Sequence, residues 1–220
     1  MIEQSELNNV SFYEKHSKSI RAWHWLTFVI VTLLLLTVLL NYNILDSTIN
    51  APLFKKILSQ SGTIINDKQA RHLAKTIENK IWTWHKYFGI TLSFLMLFRL
   101  ISEFVQPKNQ KIFVKLKKSF DLYRKKDINN DKVLIKHYLG VKSIYLIFYI
   151  LITIMVVTGL ILTYEDDYSF LQTFSGIART IHEYNMYLIL TFVIIHIGGV
   201  IISELGKFKG IVSNMINGGK

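Results

Sequence analysis

Three stretches of this chain hold no charged side chain: Ala22 to Leu40, Ser143 to Tyr164 and Tyr184 to Ser203. A fourth, Trp82 to Val105, is broken only by Lys86 near one end and by Arg99 and Glu103 near the other. A helix rises about 1.5 Å per residue and needs about 20 apolar residues to cross a bilayer. All four stretches meet that length. They predict an all-α membrane protein, one four-helix bundle over residues 1–220, with spans at about 20–41, 81–105, 142–164 and 181–204. Lys86, Arg99 and Glu103 lie close enough to the span ends to reach the headgroups along their own stems. A composition of 50% hydrophobic residues suits a soluble domain equally well, so the clustering decides.

Lys15, Lys18 and Arg21 precede the first stretch as they would a secretory signal. Its 19 uncharged residues exceed a signal's apolar region, and Asn41-Tyr42-Asn43 offers no small-residue cleavage site. The segment is expected to stay as an anchor.

The net charge of +11 would suit a nucleic-acid partner if it were gathered on one surface. It is divided by the spans instead. Seventeen Lys and Arg fall in the N-terminal segment, the loop between spans two and three, and the tail; seven fall on the other side. That asymmetry predicts both termini in the cytoplasm, with the Glu165-Asp166-Asp167 cluster outside. The charge reports topology and anionic lipid, and no nucleic-acid partner is expected.

The two long loops carry helical patterns. In the outer loop, Asn66 or Asp67 can cap a helix whose Ala70, Leu73, Ala74, Ile77 and Ile81 share a face, running into span two. It is expected to pack on its own bundle or on headgroups. In the inner loop, Phe113, Leu116, Phe120 and Tyr123 recur among lysines, the pattern of a helix lying on an anionic leaflet.

The chain contains no cysteine, which excludes disulfides, iron–sulfur clusters and covalently attached haem. A redox cofactor would need histidine or another ligand. Of seven histidines, His16 and His72 lie in polar stretches and read as solvated. His24, His85, His182 and His196 lie in or at the ends of spans, where an ionisable group needs a partner. With the N-terminus inside, depth pairs His24 with His196 near the cytoplasm and His85 with His182 near the outer face. Fourteen residues on one helix give a rise of about 21 Å and leave the two rings within about 40° of each other. One helix face can thus serve two stacked sites. Two opposed imidazoles suit haem iron, whereas zinc or di-iron sites call for three or four ligands at one level. His24, His85, His182 and His196 are therefore the expected metal ligands.

Gly89, one turn after His85, would let a flat macrocycle approach the backbone. Gly159, Gly198 and Gly199 can do the same or permit close helix packing. Arg179 can pair with propionates outside and Arg21 inside, interfacial anchoring being the plainer role for both. Trp23, Trp25, Trp82 and Trp84 beside the histidines suit a membrane interface without any cofactor.

"RAWHW" opening span one, "WHKYFG" opening span two, "VTGLIL" in span three and "IHEY…IIHIGG" in span four resemble the bacterial cytochrome b-561 and nickel–iron hydrogenase cytochrome b family. The similarity runs from about Lys15 to Glu204 and extends to formate dehydrogenase gamma subunits and the cytochrome subunit of thiosulfate reductase. The fourteen-residue histidine spacing is its most specific element. The resemblance implies two b haems, on His24/His196 inside and His85/His182 outside, with quinone meeting the inner haem. Formate dehydrogenase gamma subunits carry Tyr-Asn-x-Gly-Gln-Lys before span three, part of the quinone pocket. Here His137-Tyr138-Leu139-Gly140-Val141-Lys142 lacks the asparagine and glutamine, and His137, Tyr138 and Gly140 are the candidates for quinone contact.

The expected function is that of a di-haem b-type cytochrome of the inner membrane. It would pass electrons between the quinone pool and an outer redox partner: a hydrogenase, a dehydrogenase or cytochrome c. As such it would be the electron-transfer subunit of a quinone-linked oxidoreductase. Two other functions suit the same residues. One is a free-standing superoxide:quinone oxidoreductase, with Arg71, Lys75 and Lys80 attracting the anion. The other is a cofactor-free membrane anchor whose histidines bond between helices.

Overall fold

The computed structural model describes residues 17–105, 111–124, 132–205 and 211–218. The described residues form seven helices: α1 (Lys18–Asn43), α2 (Ser47–Gln60), α3 (Asp67–Val105), α4 (Ile112–Arg124), α5 (Lys132–Thr163), α6 (Ser169–Leu205) and α7 (Ile211–Asn217). Four of them, α1, α3, α5 and α6, are long and apolar enough to cross a membrane. The chain is a four-span helical bundle, with helical segments in both long loops. Lys15 and His16, and Lys207, Lys209 and Lys220 of the tail, lie outside the described residues.

The helices outrun the spans. α5 begins ten residues before the expected 142, and α6 twelve before 181. A span is read from apolar residues, but a helix once nucleated adds one hydrogen bond per residue and continues into water. α3, at 39 residues, is about 58 Å long, so its first turns stand clear of a hydrocarbon core of about 30 Å.

Those first turns follow the outer-loop pattern. The Asn66 side chain accepts from the Gln69 amide, and the Gln69 side chain accepts from the Asn66 amide, a reciprocal cap at the start of α3. Ala70 and Ala74 are buried, but against α2, a helix that the periodicity did not signal. α2 carries Pro52 in its second turn, where proline ordinarily removes a helical hydrogen bond, and much of its apolar surface is exposed. Asp46 starts it by accepting from the Thr48 amide and hydroxyl, and these bonds hold its carboxyl below the usual carboxylate range. Gly62, at φ +80°, closes it in a conformation that glycine adopts without strain. Ala51 completes the contact with Ala70 and Ala74, and these small side chains let the two backbones approach closely.

Within the bundle, α1 packs along α3 and α5 along α6, and the two pairs meet where α3 touches α5. Val31, Leu92, Met96, Ile152 and Ile189 form the central core, so every span contributes. Ile152 is 1% exposed, whereas Phe94, Tyr184 and Ile194 are largely exposed around the circumference, as lipid-facing residues are.

Two charged residues depart from expectation. Arg99 and Glu103 do not reach outward for the headgroups; Arg99 is 8% exposed. Its Nη2 donates to Glu103 at 3.0 Å, its Nε donates to the Tyr149 hydroxyl at 2.9 Å, and its cation lies 5.1 Å from the Tyr149 ring centre. The other Glu103 oxygen accepts from the Ile112 amide at the start of α4. An ion pair one helical turn apart, with donors and acceptors supplied by α4 and α5, makes the inward position tolerable. Removing one partner of a buried pair is far worse than removing both. Glu103→Leu is therefore expected to destabilise the detergent-solubilised protein by about 3–5 kcal/mol. Arg99→Met combined with Glu103→Leu should recover most of that loss in thermal unfolding; a double variant no better than the single contradicts the pairing.

Candidate functional site

The two helix pairs are joined at α3 and α5, and the histidines of α6 face those of α1 and α3. His24 (α1) and His196 (α6) have ring centroids 6.3 Å apart; His85 (α3) and His182 (α6) are 6.4 Å apart. The first pair lies at the end of the bundle that carries the start of α1 and the short α7, the second at the end that carries the α2–α3 hairpin. Each separation is within reach of an edge-on ring contact, and it is also the separation that a shared metal would set. An imidazole nitrogen binds a transition metal at about 2 Å and lies about 1.2 Å from its own ring centre, so two rings on opposite sides of one ion sit about 6.4 Å apart. Among the described residues no three His, Cys, Asp or Glu side chains converge, so the donors come as pairs. Two neutral imidazoles at that spacing, with open room beside them, fit a haem iron.

The room is a cavity of about 440 Å³ at the hairpin end, lined by all four spans. His85, His182, Gly89 and Arg179 are among its walls. A side chain added at Gly89 would meet nothing within 4 Å, so this glycine opens onto the cavity. Gly159 serves differently. A methyl group there would lie 3.2 Å from Cε1 of His182, so Gly159 leaves space for the imidazole rather than for a macrocycle. Gly198 and Gly199 have open space around them and hold no close helix contact.

Both rings of the hairpin-end pair are anchored. Nδ1 of His85 is 2.7 Å from the Thr37 hydroxyl, which itself donates to the Leu34 carbonyl at 2.6 Å. Nδ1 of His182 is 2.9 Å from the Thr158 hydroxyl, which donates to the Ile154 carbonyl at 2.7 Å. Sequence reasoning did not single out either threonine. Thr32 and Thr153 sit in the same apolar helices and make the same bond to the preceding turn, so only the tertiary placement distinguishes Thr37 and Thr158.

The other candidates are dispersed. Arg179 lines the cavity and donates to Glu165 at 3.0 Å. Arg21 is taken up elsewhere: its Nη1 donates to the Ile216 carbonyl of α7 at 3.0 Å, and a side chain at Gly218 would collide with the guanidinium. Trp25 donates to the neighbouring Met215 carbonyl, so α7 is tied back onto the start of α1. Trp23 is no interface residue; it is 7% exposed and donates to the Leu95 carbonyl, fastening α1 to α3. His196 lies parallel to Phe192, with centroids 5.9 Å apart. Gly140 is exposed in α5, whereas the side chains of His137 and Tyr138 lie outside the described residues.

Residues 15–218 match the family described as prokaryotic cytochrome b561. No curated protein and no solved structure matches the chain.

Gly159→Ala tests the fit around His182. The added methyl forces the ring to yield by a few tenths of an ångström, a form of overpacking that typically costs about 1–3 kcal/mol. The purified variant is expected to carry less pigment per chain than the wild type. An unchanged pigment-to-protein ratio would show that the ring has slack.

Proposed function

The chain belongs to the prokaryotic cytochrome b561 family, a family of membrane cytochromes that implies haem b, and on that premise we propose that it carries electrons across the membrane on two such haems. The observation that carries the proposal is the geometry of α6, which faces one histidine of α1 and one of α3 at separations of 6.3 and 6.4 Å. His24 and His196 would hold one haem; His85 and His182 would hold the other. When bound, haem would supply the one-electron chemistry of its iron, and the histidines that hold it would help set its potential.

The chain's own residues do the rest. Val31, Leu92 and Ile189 each fall seven residues from a histidine on the same helix, and Ile189 lies midway between His182 and His196. The core cluster thus lies between the two levels and lines that interval with apolar side chains. Gly89 keeps the wall of the hairpin-end cavity flat. Arg179, at the cavity, has a cation to offer a haem carboxylate in competition with Glu165.

The asymmetry of Lys and Arg supports an orientation with the termini, and so the His24/His196 level, toward the cytoplasm. In an inner membrane so oriented, quinone would meet that level, with His137, Tyr138 and Gly140 as candidate contacts. The α2–α3 hairpin would face an outer redox protein such as a hydrogenase, a dehydrogenase or cytochrome c.

Optical spectra of the detergent-purified chain, oxidised and then dithionite-reduced, test the reading. Split b-type bands and two haems per chain are expected, with His85→Ala losing one haem and His24→Ala the other. Loss of the same haem from both variants refutes the pairing. A colourless wild type would leave the chain a cofactor-free anchor.

A further inference from the structure

We propose that Thr37 and Thr158 are positioning residues for the haem at the hairpin end, holding His85 and His182 in the tautomer that presents Nε2 to the iron. The proposal rests on the di-haem reading and extends it to groups that touch neither metal nor macrocycle.

A hydroxyl has one hydrogen to donate and lone pairs with which to accept. In Thr37 that hydrogen is directed to the Leu34 carbonyl at 2.6 Å, and in Thr158 to the Ile154 carbonyl at 2.7 Å. Each oxygen then faces a ring nitrogen, at 2.7 and 2.9 Å, and can only accept from it. The hydrogen of each neutral imidazole therefore sits on Nδ1, and the lone pair on Nε2 is free to bind metal. The reverse arrangement would place an N–H where a metal needs a donor pair.

The placement of the two braces is systematic. Thr37 lies on α1 and steadies His85 of α3; Thr158 lies on α5 and steadies His182 of α6. Each brace thus comes from the helix packed against its histidine, within the same helix pair. All four spans contribute at this level, two with ligands and two with braces. Gly159, next to Thr158, clears the space that the braced His182 ring occupies. His196 differs. Its ring lies flat against Phe192, and among the described residues no hydroxyl is hydrogen-bonded to it.

A hydrogen bond from the outer nitrogen of a ligating histidine fixes the ring and raises its basicity, and its loss typically costs 10–100-fold in metal affinity. A more basic ligand favours the oxidised iron. Removing either brace should therefore raise the reduction potential of this haem and loosen it, while the other haem stays as it was.

The test is a redox titration of the purified protein, followed at the haem absorption bands, with transfer of haem to apomyoglobin as a second readout. Thr37→Val and Thr158→Val keep the side-chain shape and delete the acceptor. Each is expected to raise the midpoint of the haem that His85→Ala removes, and to weaken its retention by about 10–100-fold. Thr37→Ser and Thr158→Ser keep a hydroxyl and should behave as the wild type. Unmoved midpoints, valine variants that shift different haems, or serine variants no better than valine would overturn the proposal. Should Thr37→Val fail to accumulate, Thr158→Val decides the same question from the opposite ligand. A wild type with two haems but unmoved valine variants removes only the threonine assignment; a wild type without haem removes the di-haem reading with it.

Discussion

An imidazole inside an apolar bundle must be given a partner, and the whole arrangement follows from how these four are partnered. Two histidines of α6, fourteen residues apart, share one face of the helix. Each looks across to a histidine of the opposite helix pair at more than 6 Å. That gap is kept open by packing elsewhere: α1 on α3, α5 on α6, and a core cluster midway between the two levels. Small and polar residues adjust it locally. Gly89 opens one wall, Gly159 yields to His182, and the Thr37 and Thr158 hydroxyls lie within hydrogen-bond distance of Nδ1 of His85 and His182.

The polar groups outside the gap serve the frame. Arg99, Glu103 and Tyr149 join α3 to α5 and to the start of α4, and Trp23 joins α1 to α3. Arg21 and Trp25 fasten α7 to the N-terminal end of α1 through two backbone carbonyls. Arg21, which its position among basic residues would also suit for a propionate, donates to the tail from Nη1. Arg179 remains at the cavity, in an ion pair that is more than half exposed on the arginine side and correspondingly weak.

Much of this was legible in the sequence because length and periodicity act locally. Four apolar stretches correspond to four spans, and the Ala70/Ala74 stripe corresponds to the start of α3. The depth argument selects the same histidine neighbours that the bundle brings side by side. What remained hidden depends on tertiary contact. α2 has a proline and little buried apolar area, and it is held largely by alanines of α3 that sequence periodicity assigns to no particular neighbour. The inward turn of Arg99 depends on Tyr149, fifty residues away. Trp23 and Trp25 look alike in a motif, yet one is buried against α3 and the other binds α7. Thr37 and Thr158 match every other threonine that bonds to its own helix until the neighbouring helix places a ring nitrogen beside them.

If each histidine pair shares one iron, an experimental density map of the purified chain will locate that iron between the two rings. The anomalous signal at the iron absorption edge should show two peaks. One is expected between His24 and His196 and one between His85 and His182, each about 2 Å from the facing nitrogens. A single peak, or iron lying away from both pairs, would contradict the account.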